Sequence, residues 1–243
     1  MNKEIKYTAL MYHQTTSPAR NKYYIPIDKF EEQIKLVNRL NIKSVSLEDK
    51  FFGNKENKAI LITFDDGHKS NYDAAKILSD YGLKGYFYLV KDFSLHNDDE
   101  YLNEREIREI SNMGHTLAVH GKDHMWWTLK SENILFKELQ ETKNWIENIT
   151  GKAVITCAPP GGVINIKTAN FLQQQMPEYQ YIRTVKVGIN KESNQFIKIT
   201  PMHTNTNIRM FQWSITNNEL YYKYLQTIYH SKNILRPIYK FIK

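Results

Sequence analysis

A chain of 243 residues with 41% hydrophobic residues can bury one sizeable core, and a single α/β domain of barrel size fits that length. The 33 basic and 26 acidic residues leave a formal charge of +7, a mild excess that no nucleic-acid-binding motif accompanies, so nucleic acid is not an expected partner. No run of about 18 apolar residues predicts a membrane-spanning helix, the opening MNKEIKYTALMYHQTTS lacks an apolar signal core, and the lone Cys157 allows no intrachain disulfide, so a cytoplasmic location is expected.

In chain order, short apolar runs that predict strands fall at 8–12, 42–46, 60–64, 85–90, 116–119, 154–158 and 181–184, with a weaker one at 196–199. Helical periodicity fills the intervals. Residues 27–40 carry Phe30, Ile34, Val37 and Leu40 on one face, and 71–81 stops at Gly82. The segment 104–112 ends before Gly114, 131–150 closes at Gly151, and 166–175 carries Phe171 and Leu172. Strands alternating with helices predict βα units and a mainly parallel sheet. Some seven or eight units would close it, giving a single-domain, distorted (β/α) barrel of about seven strands. From 211 to 243 the chain reads as a basic, amphipathic helical extension: Lys223, Lys232, Arg236, Lys240 and Lys243 are interleaved with Tyr221, Tyr222, Leu225 and Ile228, and no acid follows Leu220. Such a segment suits an anionic membrane surface and equally suits a helix packed on the domain with its lysines in water.

In β/α barrels functional groups gather at the C-terminal ends of strands. Asp65 and Asp66 directly follow AILITF, His120 follows TLAV, His13 ends ALMYH, and Pro159, Pro160, Gly161 and Gly162 follow VITCA. The aspartates read either as an ordinary polar turn or as a divided site, one carboxylate on a metal and one handling a proton. His120 and His124 stand four apart, which on a helical turn puts both imidazoles on one side. With an aspartate they make a three-ligand set that leaves positions open for water, as in catalytic zinc sites. Adjacent aspartates project differently from a strand end, so one can reach the ion while the other faces the water as general base.

The stretches TFDDG at 63–67, HGKDH at 120–124 and APPGG at 158–162 resemble, in order and spacing, the first three motifs of the polysaccharide deacetylases (the NodB-homology carbohydrate esterases). ALMYHQ, the segment 23–49 and YIRTVKVGIN look like that family's surface-polysaccharide biosynthesis branch, so that the resemblance spans roughly 8–210 and predicts a catalytic domain over 1–210. It implies that Asp65 is the general base, that Asp66, His120 and His124 bind a divalent metal, commonly zinc, and that the Gly161 backbone N–H helps hold the oxyanion. It also implies a late histidine as general acid, for which His203 at the end of FIKITPMH is the candidate, a surface histidine in HTNTN being the ordinary alternative. His115 aligns with a structural position. Two departures stand out: Ala158 occupies the position of an arginine that often orients the base, and Gly121 follows the first histidine where Ser or Thr is common. His13, Trp126 and Trp127 are candidates to line the sugar site, Trp145 belongs to the core, and Trp213 is unassigned.

The expected activity is therefore metal-dependent hydrolysis of an N-acetyl group from an amino sugar of a bacterial surface polysaccharide or its precursor. The expected partner is an N-acetylated glycan or a lipid-linked sugar, the latter met at the inner membrane face by the basic tail. Two alternatives differ in kind: an inactive glycan-binding module on the same scaffold, favoured by Ala158, and an O-acetyl esterase or other amidohydrolase with the same metal chemistry.

Overall fold

The computed structural model describes residues 4–16, 22–53 and 58–240, with 230–240 by backbone course alone. The strands are β1 (Lys6–Tyr12), β2 (Lys43–Ser44), β3 (Ala59–Phe64), β4 (Gly85–Leu89), β5 (Thr116–Val119), β6 (Thr156–Cys157), β7 (Tyr181–Val187), β8 (Asn190–Lys191) and β9 (Phe196–Pro201). The helices are α1 (Ile27–Arg39), α2 (Asn71–Asp80), α3 (Lys91–His96), α4 (Glu104–Asn112), α5 (Glu132–Thr150), α6 (Ile166–Gln175), α7 (Ile208–Ile215) and α8 (Glu219–Lys240).

β1 pairs in parallel with both β3 and β9, so the order β1-β3-β4-β5-β6-β7-β9 closes into a seven-strand barrel with helices flanking it. Closure leaves no open strand edge within the ring. The apolar run at 42–46 does not become a stave. β1 occupies one edge of β3, and on the other edge β2 pairs only with Ala59 and Ile60 before β4 takes over at Ile62. β8 is a short antiparallel addition to β1.

The strand period of two sorts the core into two shells. Ala9, Met11, Leu61, Tyr86, Tyr88, Ala118, Ala158 and Tyr181 pack inside the ring. Leu10, Ile62, Phe64, Phe87, Val119 and Ile182 face outward, against Phe30, Ile34, Leu78, Ile107, Leu139 and Leu172 of the helices. Fully burying a Leu, Ile, Val, Phe or Met side chain is worth about 1.5–3 kcal/mol, so both shells contribute to the stability of the ring. Local caps start the helices. Asn103 and Glu106 form a reciprocal capping box at α4, and Ser131 caps α5, which ends at left-handed Gly151. The helical extension read from 211 starts earlier and divides in two: Asn207, in a stretch that reads as polar loop, accepts from the Met210 N–H and opens α7 at Ile208, and α8 begins separately at Glu219. Of the C-terminal extension, the side chains of Lys232, Arg236, Lys240 and Lys243 lie outside the described residues, whereas Tyr221, Tyr222 and Leu225 are buried. Among the described residues no helix is long and apolar enough to cross a membrane.

Candidate metal centre and active site

On β3 the inward face carries Leu61 and Thr63, and Asp65 continues it just past the strand end. Asp65 is buried, 4% exposed, and its backbone N–H donates to the Tyr12 carbonyl at 3.0 Å. Asp66 instead takes a left-handed backbone, φ 72°, which carries its carboxylate away from its neighbour and toward the end of β5. There the Asp66 Oδ1 lies 3.3 Å from His120 Nε2 and 3.2 Å from His124 Nε2. The ligand atoms of the three residues all fall within 4.8 Å of one another.

The two histidines do not meet on a helical turn as their spacing predicts. Residues 120–124 form a loop after β5, reversed by Gly121 at φ 105° and by His124 itself at φ 61°. Left-handed backbone at two non-glycine ligands is strained, and the surroundings must hold it. Lys130 does so in part. Its buried ammonium contacts Glu138 and donates to Asp123 Oδ1 at 2.7 Å, and that same oxygen accepts the Met125 N–H.

The donor set fits a cation. His120 Nδ1 is 2.7 Å from the Ala158 carbonyl, which can only accept, so Nδ1 carries a proton and Nε2 is the nitrogen turned toward Asp66 and placed to bind an ion. Asp66 Oδ1 is buried with no hydrogen-bond donor of normal geometry. Acceptors thus converge on one point, where a divalent ion would satisfy them. Burial pushes the Asp66 carboxyl up, but the neighbouring His120 and His124 imidazoles outweigh this and hold it well below the usual carboxylate range. The interaction with Asp66 correspondingly raises the His124 imidazole, against its own burial.

Asp65 faces different partners. Arg183 of β7, 1% exposed, donates from Nη2 to Asp65 Oδ2 at 2.5 Å. His13 Nε2 lies 3.9 Å from that oxygen; burial lowers the His13 pKa, partly offset by the charges of Asp65 and Asp66. Asp65 Oδ1 is buried with no hydrogen-bond partner. Sequence reasoning missed Arg183, although a signal existed: in YIRTVKV it shares the inward parity of Tyr181, and an arginine on the inner face of a stave needs a partner.

The turn after β6 places the remaining candidates. Gly161 has φ 61°, and a Cβ built on it would lie 3.0 Å from Trp126 Nε1, so the indole crosses directly over this backbone. Trp126 is 37% exposed at this rim, whereas Trp127 is buried in the core beside Gly121 and does not line the site. His203 packs edge-on to Tyr23 at 5.5 Å, and Tyr23 packs on His13 at 4.8 Å, so the three rings form one row on the Asp65 side. His115 is structural, buried between the Ala75 carbonyl and the Gly85 amide. Trp145 packs partly buried on α5, and Trp213 on Tyr221.

The family model described as Polysaccharide deacetylase matches residues 52–179. YxkH of Bacillus subtilis strain 168 is 28% identical over 175 residues, which are 68% of this chain and 60% of YxkH. The peptidoglycan-N-acetylglucosamine deacetylase PgdA of Listeria monocytogenes is 29% identical over 117 residues, 47% of this chain and 24% of PgdA. The chain thus spans less than two thirds of either relative. The crystal structure of BC0361, a polysaccharide deacetylase from Bacillus cereus, superposes with a TM-score of 0.77 at 25% identity, covering 87% of this chain and 69% of that one. With more than half its length matched by the family model, including the two adjacent aspartates and the histidine pair, the chain belongs to the polysaccharide deacetylase family.

Proposed function

We propose that the protein hydrolyses the N-acetyl group of an amino sugar in a bacterial surface polysaccharide or its precursor, giving acetate and a free amine. One observation carries this reading: an Asp66/His120/His124 ligand set stands beside a second, inward carboxylate, Asp65, with one oxygen free to accept a proton. Zinc is the ion proposed for the set, held by the Asp66 oxygen and the two Nε2 atoms. When bound it supplies Lewis acidity, polarising the acetamide carbonyl and making a bound water easier to deprotonate.

Asp65 Oδ1 takes a proton from the attacking water as the new C–O bond forms. The developing oxyanion receives a hydrogen bond from the Gly161 N–H, in a left-handed turn whose missing Cβ makes room for the Trp126 indole. His203, which packs on Tyr23 at the far end of the row from His13, is the proposed donor of a proton to the departing nitrogen as the C–N bond breaks. Trp126 offers its ring face to the sugar. A lipid-linked precursor met at the cytoplasmic membrane face, with the segment after 231 making peripheral contact, is part of the same proposal. Loss of vesicle binding on deleting 231–243 supports that placement, and unchanged sedimentation with anionic vesicles removes it.

The test is metal content and acetate release on N-acetylglucosamine oligomers. Asp65→Asn should keep about one metal per chain and lose turnover; His120→Ala/His124→Ala should lose the metal. Loss of metal in Asp65→Asn would mean that the two aspartates are assigned the wrong way round. His203→Ala should lower the turnover number with metal intact, and an unchanged rate removes it from the mechanism.

A further inference from the structure

We infer that Arg183 is the positioning residue for Asp65, and that it supplies from β7 the guanidinium absent at Ala158 on β6. The inference rests on the reading of Asp65 as the base. Val119 is in register with Cys157, and Cys157 with Ile182. One step further along each parallel strand, His120, Ala158 and Arg183 follow as lateral neighbours at the top of the barrel. Ala158 is fully buried and presents only a methyl group to the inner layer. The room left there lets the longer side chain of the adjacent stave reach across.

Besides a long Nη1 hydrogen bond of 3.5 Å to the Thr184 carbonyl, three contacts hold the head group. The guanidinium stacks 5.1 Å above the Tyr88 ring, Nη1 lies 3.2 Å from Met11 Sδ, and Nη2 grips Asp65 Oδ2. Each neighbour is itself almost or fully buried, so few other arrangements are open to it. The grip is one-sided: Oδ2 is engaged and Oδ1 is left without a partner. A base held by one oxygen with the other presented to the water is what proton abstraction needs. Stability alone explains the arrangement poorly. A buried ion pair is often no better for folding than apolar residues of the same volume, and an inner layer of Tyr, Met and Ala had that option.

The test compares wild type, Asp65→Asn, Arg183→Met, Arg183→Lys and the relocated double variant Arg183→Met/Ala158→Arg. Metal content, kcat and KM for acetate release from N-acetylglucosamine oligomers are measured, and crystal structures of the variants are solved. Arg183→Met should keep its metal and lose kcat on the order of 10²-fold, as expected for a misplaced reacting group, with KM within about threefold. In its crystal structure the Asp65 carboxylate should be turned from its native rotamer. Restoring a guanidinium from position 158 should recover about tenfold or more of the lost kcat, an outcome that a merely structural loss would not give. If Arg183→Met does not fold, Arg183→Lys and the double variant carry the comparison. A folded, metal-loaded Arg183 variant within about threefold of wild type, alongside an inactive Asp65→Asn, overturns the inference, as does a folded double variant no better than Arg183→Met. An Asp65→Asn variant as active as wild type, or a wild type inactive on the oligomers, overturns the proposed function instead.

Discussion

Gly162→Ala should damage both stability and turnover through one identifiable contact. Gly162 has φ 61°, and a Cβ built there would lie 2.0, 2.6 and 2.7 Å from Val185 Cγ1, Cβ and Cγ2. The left-handed backbone costs a non-glycine residue about 1–2 kcal/mol, and overpacking typically adds about 1–3 kcal/mol. Together they predict a loss of about 2–5 kcal/mol in urea denaturation. Val185 Cβ is fixed to the backbone of β7, so the clash is relieved mainly by moving the 160–162 turn outward. That movement carries the Gly161 N–H off the proposed oxyanion position, and a shift of about 1 Å is worth on the order of 10²-fold in turnover. Metal content should be unchanged, since none of the three ligands lies on this turn. Adding Val185→Ala removes the contacts at 2.0 and 2.7 Å but keeps the one at 2.6 Å, so rescue should be partial, with a favourable coupling of about 1 kcal/mol or more. Strict additivity, or a Gly162→Ala variant with the stability and turnover of wild type, refutes this account of the turn.

Lys130→Met leaves Asp123 and Glu138 without their shared cation and frees the loop that carries His124; zinc affinity, measured by competition titration, should weaken by about tenfold or more, and unchanged affinity would show that the loop is held by other contacts. His115 gives a pH prediction. Burial lowers its pKa, partly offset by the Ala75 carbonyl, and protonating Nδ1 would set it against the Gly85 N–H it now accepts. The unfolded chain therefore binds the proton more readily. Stability from this group is complete above the ordinary histidine value of about 6.5 and falls as the pH drops through it toward the lowered folded value, by at most about 1.4 kcal/mol per pH unit. His115→Gln should flatten that part of the stability–pH curve, and equal slopes in the two proteins would refute the assignment.

The candidate metal ligands illustrate how strain is distributed in this protein. Asp66 and His124 both sit at positive φ, and each is flanked by rigid structure: Asp66 by the end of a fully buried strand, His124 by the Lys130 ion pairs. Strain of this kind persists only where the surroundings over-determine it. It follows that the ligand set is shaped by the folded barrel and does not preform in the isolated loops.

Much of the barrel was legible in the chain because its signals are local. Alternating apolar residues mark the inner and outer faces of each stave, helical periodicity with Gly82, Gly114 and Gly151 marks the stops, and polar residues directly after AILITF and TLAV mark the strand ends that hold Asp65, Asp66 and His120. The motif resemblance added the family, which the match over 52–179 shows. Other features depend on which strands become neighbours, and no local pattern encodes that. The run at 42–46 looks like a stave, but β4 claims the edge it would need. Trp126 and Trp127 are indistinguishable as neighbours in sequence, yet a single turn sends one over Gly161 and the other into the core. Arg183 meets Asp65 across 118 residues because barrel closure brings β7 and β3 to one interior. Sequence by itself determined the periodicities, the strand ends and the chemistry available at them. Only the tertiary structure decided which side chains share the buried space, because burial, register and closure are properties of the assembled sheet and not of any one strand.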